Sequence, residues 1–267
     1  MLSAVVYLFL AHLGTGIALT LLLVSKEAGV KFFRFNAGVA TALVAAALAF
    51  RPSPSPAQAV ATTGALAALA VALACLTMYW IIAGRVWAWL RPPLAAIAIA
   101  AGIVAVFLHA NGAVHAGLVS GRALTTASAV TSVALMGTAC TAMVLGHWYL
   151  IIPSMQVRHL QRIVGIHIVA LLARIVVVAI VLALASDGPL ATGRSLRGYI
   201  TSIDGIFFWQ RVLFGLAGPA LLGYLTWETA KIRSTQSATG ILYVDFFTVV
   251  VGEVLANYVL LSTGLAV

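Results

Sequence analysis

The feature that most constrains this chain is a succession of apolar runs, each about 20 residues long, in which polar and apolar positions do not alternate. Wound as a helix rising ~1.5 Å per residue, such a run crosses a hydrocarbon core ~30 Å thick. Lipid offers backbone N–H and C=O groups no partner, so a spanning segment must close its hydrogen bonds within a helix or a barrel. Without the period-two pattern of a barrel strand, the runs read as helices. Eight are expected, over Leu2–Ser25, Phe33–Phe50, Val60–Ala83, Pro93–His109, Leu124–Leu150, Arg162–Ser186, Ile203–Trp227 and Gly240–Thr263. The fold class is therefore an all-α, polytopic membrane bundle forming one transmembrane domain over 1–267. A hydrophobic content of 63%, a charged content of 8% and a mean hydropathy of +1.12 agree with that solvent and lie outside the range of water-soluble domains. Gly14-Thr15 recurs as Gly137-Thr138, which raises a weak duplication relating 1–110 to 120–267.

Charge sets the expected orientation. The formal charge is +9, and nine basic residues fall in the turns after the first, third, fifth and seventh segments: Lys26, Lys31, Arg34, Arg85, Arg91, Arg158, Arg162, Lys231 and Arg233. The opposite turns hold four, Arg51, Arg122, Arg194 and Arg197. That excess puts the nine-residue side in the cytoplasm and both termini on the non-cytoplasmic side. No basic arm or aromatic-basic patch remains to read a nucleic acid. The first segment lacks a basic n-region and a small-residue cleavage site, so it reads as a retained helix. Cys75 and Cys140 sit inside apolar runs and read as buried free thiols, and no CxxCH motif points to covalent haem. Walker A, HExxH, GxSxG and GxGxxG patterns are likewise missing, which leaves phosphate-driven transport and soluble hydrolase chemistry without support.

Ionisable side chains within the spans carry the functional reading, because burying them is costly unless they are paired or used. Counted from the basic side, His147, His167 and Asp245 form one layer; His12, Arg174, Arg211 and Glu253 form a second, roughly 10–13 Å deeper. His167 and Arg174 are seven residues apart and Asp245 and Glu253 eight. Both spacings are close to two helical turns, so each pair shares a face, and segments six and eight are expected to meet with His167 against Asp245 and Arg174 against Glu253.

Two kinds of redox chemistry follow. His167, Asp245, Arg174 and Glu253 make a quinone pocket in which an imidazole and a carboxyl exchange protons with ring oxygens while a guanidinium stabilises negative charge. His147 and His167 are candidate axial ligands of haem b, with His12 and Arg211 as further cofactor-binding residues. The expected function is an integral membrane subunit of an electron-transfer complex in a bacterial cytoplasmic membrane, quinone-reactive or non-catalytic, working among lipids and partner subunits. A proton-coupled transporter built on the midplane Arg/Glu/His group is the second reading, and a structural anchor for a redox partner the third. The segments read as continuous, with Pro219 the one proline deep inside a span. His109 and His115 offer two imidazoles across an outer loop, short of the three or four ligands of a usual metal site. The polar turn from Lys231 to Gly240 presents hydroxyls for helix capping and basic groups for lipid phosphates or a partner subunit.

Overall fold

Runs with no polar residue to compete for the backbone wind into regular helices, and they stop where the chain must turn at an interface. In the computed structural model, which describes residues 1–51, 59–85, 87–114, 121–152, 155–186 and 189–267, this produces an all-α bundle. Among the described residues eight helices are long and apolar enough to cross a membrane. They are α1 Leu2–Thr20, α2 Gly29–Ala49, α3 Ala59–Ile82, α4 Arg91–Val114, α5 Gly121–Ile151, α6 Arg158–Ala185, α7 Ile203–Lys231 and α8 Thr235–Thr263. The protein is an integral membrane protein.

Several helices outrun their expected ends. With 31 residues α5 is about 46 Å long, more than the hydrocarbon core requires. The backbone keeps its hydrogen bonds through the interface because polar side chains there are solvated without unwinding the helix. As a result His109 belongs to α4 rather than to a loop, and the stretch from Thr235 to Gly240 is the opening of α8 rather than a turn. His115 and the proline-rich turn over 52–58 lie outside the described residues.

The larger departure concerns α7, which is not continuous. It runs as an α-helix over Ile206–Val212, widens into a π turn over Leu213–Ala217, and resumes as an α-helix over Gly218–Lys231. The Gly218 N–H reaches back to the Leu213 carbonyl, five residues earlier. Pro219 explains the widening: it has no N–H to donate, and its ring would strike the carbonyl four residues before it in a regular helix.

Close packing fixes how the helices are rotated. Gly16 of α1 and Gly137 of α5 touch through their backbones, and a Cβ placed on Gly137 would lie 2.2 Å from the Gly16 carbonyl oxygen. Small residues let two helices approach this way where lipid supplies no hydrophobic drive between them. On α6, Val169, Leu172, Val176, Ile180 and Leu184 are exposed and form the lipid-facing stripe. Its opposite stripe, with Ile163, His167, Leu171, Arg174 and Val178, is buried.

Four connections meet at one end of the bundle. Trp148 Nε1 donates to the Ala28 carbonyl at 3.1 Å, Glu27 holds His159 at 2.7 Å, and Gln161 donates to the Ala230 carbonyl at 3.2 Å. Gly84 lies against Val30, which brings in the remaining turn. The nine basic turn residues thus share one face, hereafter the basic face; the other is the terminal face.

Candidate functional site

The deeper polar layer is an ionic cluster with the carboxylate at its centre. Arg174 Nε and Nη2 grip Glu253 Oε1 and Oε2 at 3.1 Å each, and Arg211 Nη2 reaches Oε1 at 3.0 Å. All three side chains are at most 2% exposed. The remaining Arg174 hydrogens go to the Ser128 carbonyl at 2.8 Å, the Ser128 hydroxyl, and the Val267 main-chain oxygen at 3.0 Å. Arg174 is therefore saturated. Arg211 is not: among the described residues its Nε and Nη1 have no hydrogen-bond partner, and Nη1 lies over the point where Gly215 and Gly252 bring α7 and α8 together. Two guanidiniums thus share one side-chain carboxylate.

His12 joins this cluster through α5. Its Nδ1 is 3.1 Å from Ser132 Oγ, and Ser132 in turn faces the Glu253 carboxylate. Beside them is a cavity of about 30 Å³ touched by His12, His109, Ser128, Ser132, Arg174 and Asn257. A space of that size takes one or two waters and no cofactor ring. The Asn257 Nδ2 donor is 5% exposed as a residue and lacks a protein partner among the described residues, which suits a hydrated cavity.

The layer nearer the basic face contains a dyad. His167 Nε2 and Asp245 Oδ2 are 3.0 Å apart, and both side chains are fully buried. The Thr138 hydroxyl lies 2.7 Å from the Ala134 carbonyl and 3.2 Å from His167 Nδ1, so it ties the imidazole to α5. The contact runs off the line of the ring N–H, and neither oxygen of Asp245 has a well-directed donor. A buried carboxyl is costly without a partner, and the His167 imidazole is the ionisable group beside it.

An apolar groove of about 370 Å³ opens towards lipid between α6 and α7, lined by Gly165, Ile168, Leu172, Ala220, Tyr224 and Trp227. This is within the size range of small-molecule sites. Gly223 separates it from the dyad: a Cβ there would stand 3.5 Å from Ile168 Cγ1 and 4.0 Å from His167 Cδ2. Both are ordinary van der Waals distances, so the edge of the imidazole lies just behind the wall that Ile168 gives the groove.

The structure brings together four of the seven ionisable residues picked from sequence in the pairs their spacing implied, adds Arg211 at Glu253, and joins His12 to them through Ser132. His147 stands apart. It is exposed and its Nδ1 meets the Tyr243 hydroxyl at 3.2 Å, while His167 is fully buried beside Thr138 and Asp245. A pair of axial imidazoles must face one iron; these two lie in different surroundings, one exposed and one buried. His109 packs its ring against Tyr7 at 5.4 Å, and among the described residues no group of three or more His, Cys, Asp or Glu could hold a metal ion.

Sequence reasoning passed over Ser128, Ser132, Thr138 and the groove glycines. The hydroxyls had a signal, since Thr125, Ser128 and Ser132 recur at three- and four-residue steps and are all buried. Nothing in a run of small residues tells a groove from a close contact. No protein-family model matches the chain, and no curated protein matches it.

Proposed function

We propose that this chain is a quinone-reactive integral membrane subunit of an electron-transfer complex, with the groove between α6 and α7 receiving the ring and the His167–Asp245 dyad exchanging its proton. The observation that carries the reading is a buried His167–Asp245 pair set behind an apolar, lipid-facing groove, with Gly223 beside both. Reduction of a quinone takes two electrons and two protons. The electrons come from a partner redox protein; the dyad gives one proton to a ring oxygen, is reprotonated, and gives the second. Quinol oxidation runs the same steps backwards. Arg174, Glu253, Arg211 and His12 do not touch the ring in this scheme, because the space beside them admits water alone; they hold α6, α7 and α8 in register behind the dyad. The basic face lies in the cytoplasm of a bacterial cell, following the bias of its turns.

Trp227 lines the groove and reports on it. Titrating the purified protein with a short-tailed benzoquinone is expected to quench fluorescence saturably, with the saturable part lost in Trp227→Phe and the half-saturating concentration raised at least tenfold in Gly223→Leu. Quenching that does not saturate, or that Gly223→Leu leaves unchanged, would sink the assignment.

A second reading, a proton-coupled transporter, is favoured by one observation, the π turn of α7 beside the under-partnered Arg211. Wide turns within helices recur at functional sites. Substrate-driven proton uptake into proteoliposomes, without quinone binding, would decide for it.

A further inference from the structure

Directly above the groove, at the basic face, lies a bowl of about 800 Å³ formed by the α5–α6 and α7–α8 connections. Its rim carries Arg158, Lys231 and Arg233, and its wall includes Gln156, Gln161 and Thr235. Three cations from two connections therefore face one polar space at the level where headgroups lie. Glu27 approaches Arg158 at 3.7 Å and Glu228 holds Lys231 at 2.6 Å. Both pairs are exposed, with Arg158 66% and Lys231 50% open to solvent, so they are weak and easily exchanged for another anion. Arg233 adopts a left-handed backbone at φ 60°, a conformation uncommon in side-chain-bearing residues.

The bowl and the groove are continuous along the same two helices. Gln161 of the bowl is one turn from Gly165 of the groove, and Lys231 one turn from Trp227. Lys231 Nζ sits 5.8 Å above the Trp227 ring, marking the boundary between the two. A polar, cationic upper chamber over an apolar lower one matches an amphiphile with a negative head. Basic pockets between transmembrane helices recognise anionic lipid headgroups in this way.

We propose that the bowl and groove together form a binding site for an anionic phospholipid. Its phosphate lies among Arg158, Lys231 and Arg233, and one acyl chain descends between α6 and α7. The chain would occupy the space that the quinone reading gives to the ring, so bound lipid competes with quinone; the lipid site itself does not depend on that reading, and its test uses no quinone.

Native mass spectrometry of the full chain in detergent, with phosphatidylglycerol or phosphatidylcholine of identical chains, tests this. Phosphatidylglycerol is expected to bind at concentrations at least tenfold lower. The triple variant Arg158→Gln, Lys231→Gln, Arg233→Gln should remove that preference, and its exposed side chains leave folding intact, checked by an unchanged Tm. Ala220→Leu, which fills the groove, should weaken both lipids equally. Equal binding of the two lipids by the wild type, or a preference that survives the triple variant, overturns the proposal. So does displacement of phosphatidylglycerol by inorganic phosphate with no effect of Ala220→Leu, which would make the bowl a site for a water-soluble phosphate. Charge-dependent retention of an acidic protein in place of lipid would do the same.

Discussion

Replacing Glu253 by Gln removes the single negative charge that two buried guanidiniums share. Breaking a buried ion pair by deleting one partner costs about 3–5 kcal/mol, because the surviving charge is left bare. Gln keeps one carbonyl oxygen, which can still accept from Arg174 Nε and Arg211 Nη2 as Oε1 does, so the expected loss is near the lower bound, about 3 kcal/mol. Were Glu253 acting only as a hydrogen-bond acceptor between helices, the loss would be about 0.6 kcal/mol and at most ~1.7. Arg211→Met supplies the contrast. It leaves Arg174 and Glu253 as a bidentate, neutral pair and removes two unpartnered buried donors, so stability should stay within about 1 kcal/mol of wild type or rise. At ~2–4 °C per kcal/mol for a chain of this size, Glu253→Gln should lower the Tm in mixed micelles by about 6–12 °C. A fall under ~2 °C in that variant, or a larger loss in Arg211→Met than in Glu253→Gln, would refute the picture of two guanidiniums held by one side-chain carboxylate.

Two further outcomes follow from backbone contacts. Gly137→Ala puts a Cβ 2.2 Å from the Gly16 carbonyl, so α1 and α5 must part, and a loss of about 1–3 kcal/mol is expected; an unchanged Tm would show that this contact does not set the packing. Deleting Leu213 should convert the π turn of α7 to a regular helix and abolish saturable Trp227 quenching by quinone, and retained quenching would refute the role given to the turn below.

The spans and the two polar layers were legible because both depend on one-dimensional quantities: run length against core thickness, and residue count against helical rise. The spacing of His167 with Arg174 and of Asp245 with Glu253 predicted real contacts at 3.0 and 3.1 Å for that reason. Rotation was not legible. In a soluble bundle the apolar stripe gives away the buried face, but α6 is apolar on its lipid side as well, and Val169 looks no different in sequence from Val178, although one is exposed and the other buried. The same blindness explains His147. At equal depth with His167, it lies on the outer side of α5, so depth alone paired two imidazoles that face different surroundings. Pro219 was visible, but a proline signals only that the helix must yield somewhere; it does not say that it yields by widening rather than by breaking.

That distinction decides the geometry of the candidate site. Each residue of an α-helix turns about 100°, so in an unbroken α7 the positions after Pro219 would be set against Arg211 by their plain residue count. Gly223 would then lie about 120° from Arg211 and Ala230 about 100°. The π turn inserts one extra residue and sets everything after it back by about 100°. Gly223 and Ala230 then fall within about 20° of Arg211, and the buried residues Arg211, Gly215, Pro219, Gly223, Thr226 and Ala230 form a single inward stripe. Its neighbours on one flank, Ala220, Tyr224 and Trp227, are left to line the groove. One proline, by forcing one wide turn, lets the same helix hold a guanidinium against Glu253 in its first half and a glycine against His167 in its second. A regular helix could satisfy one of these contacts only by giving up the other.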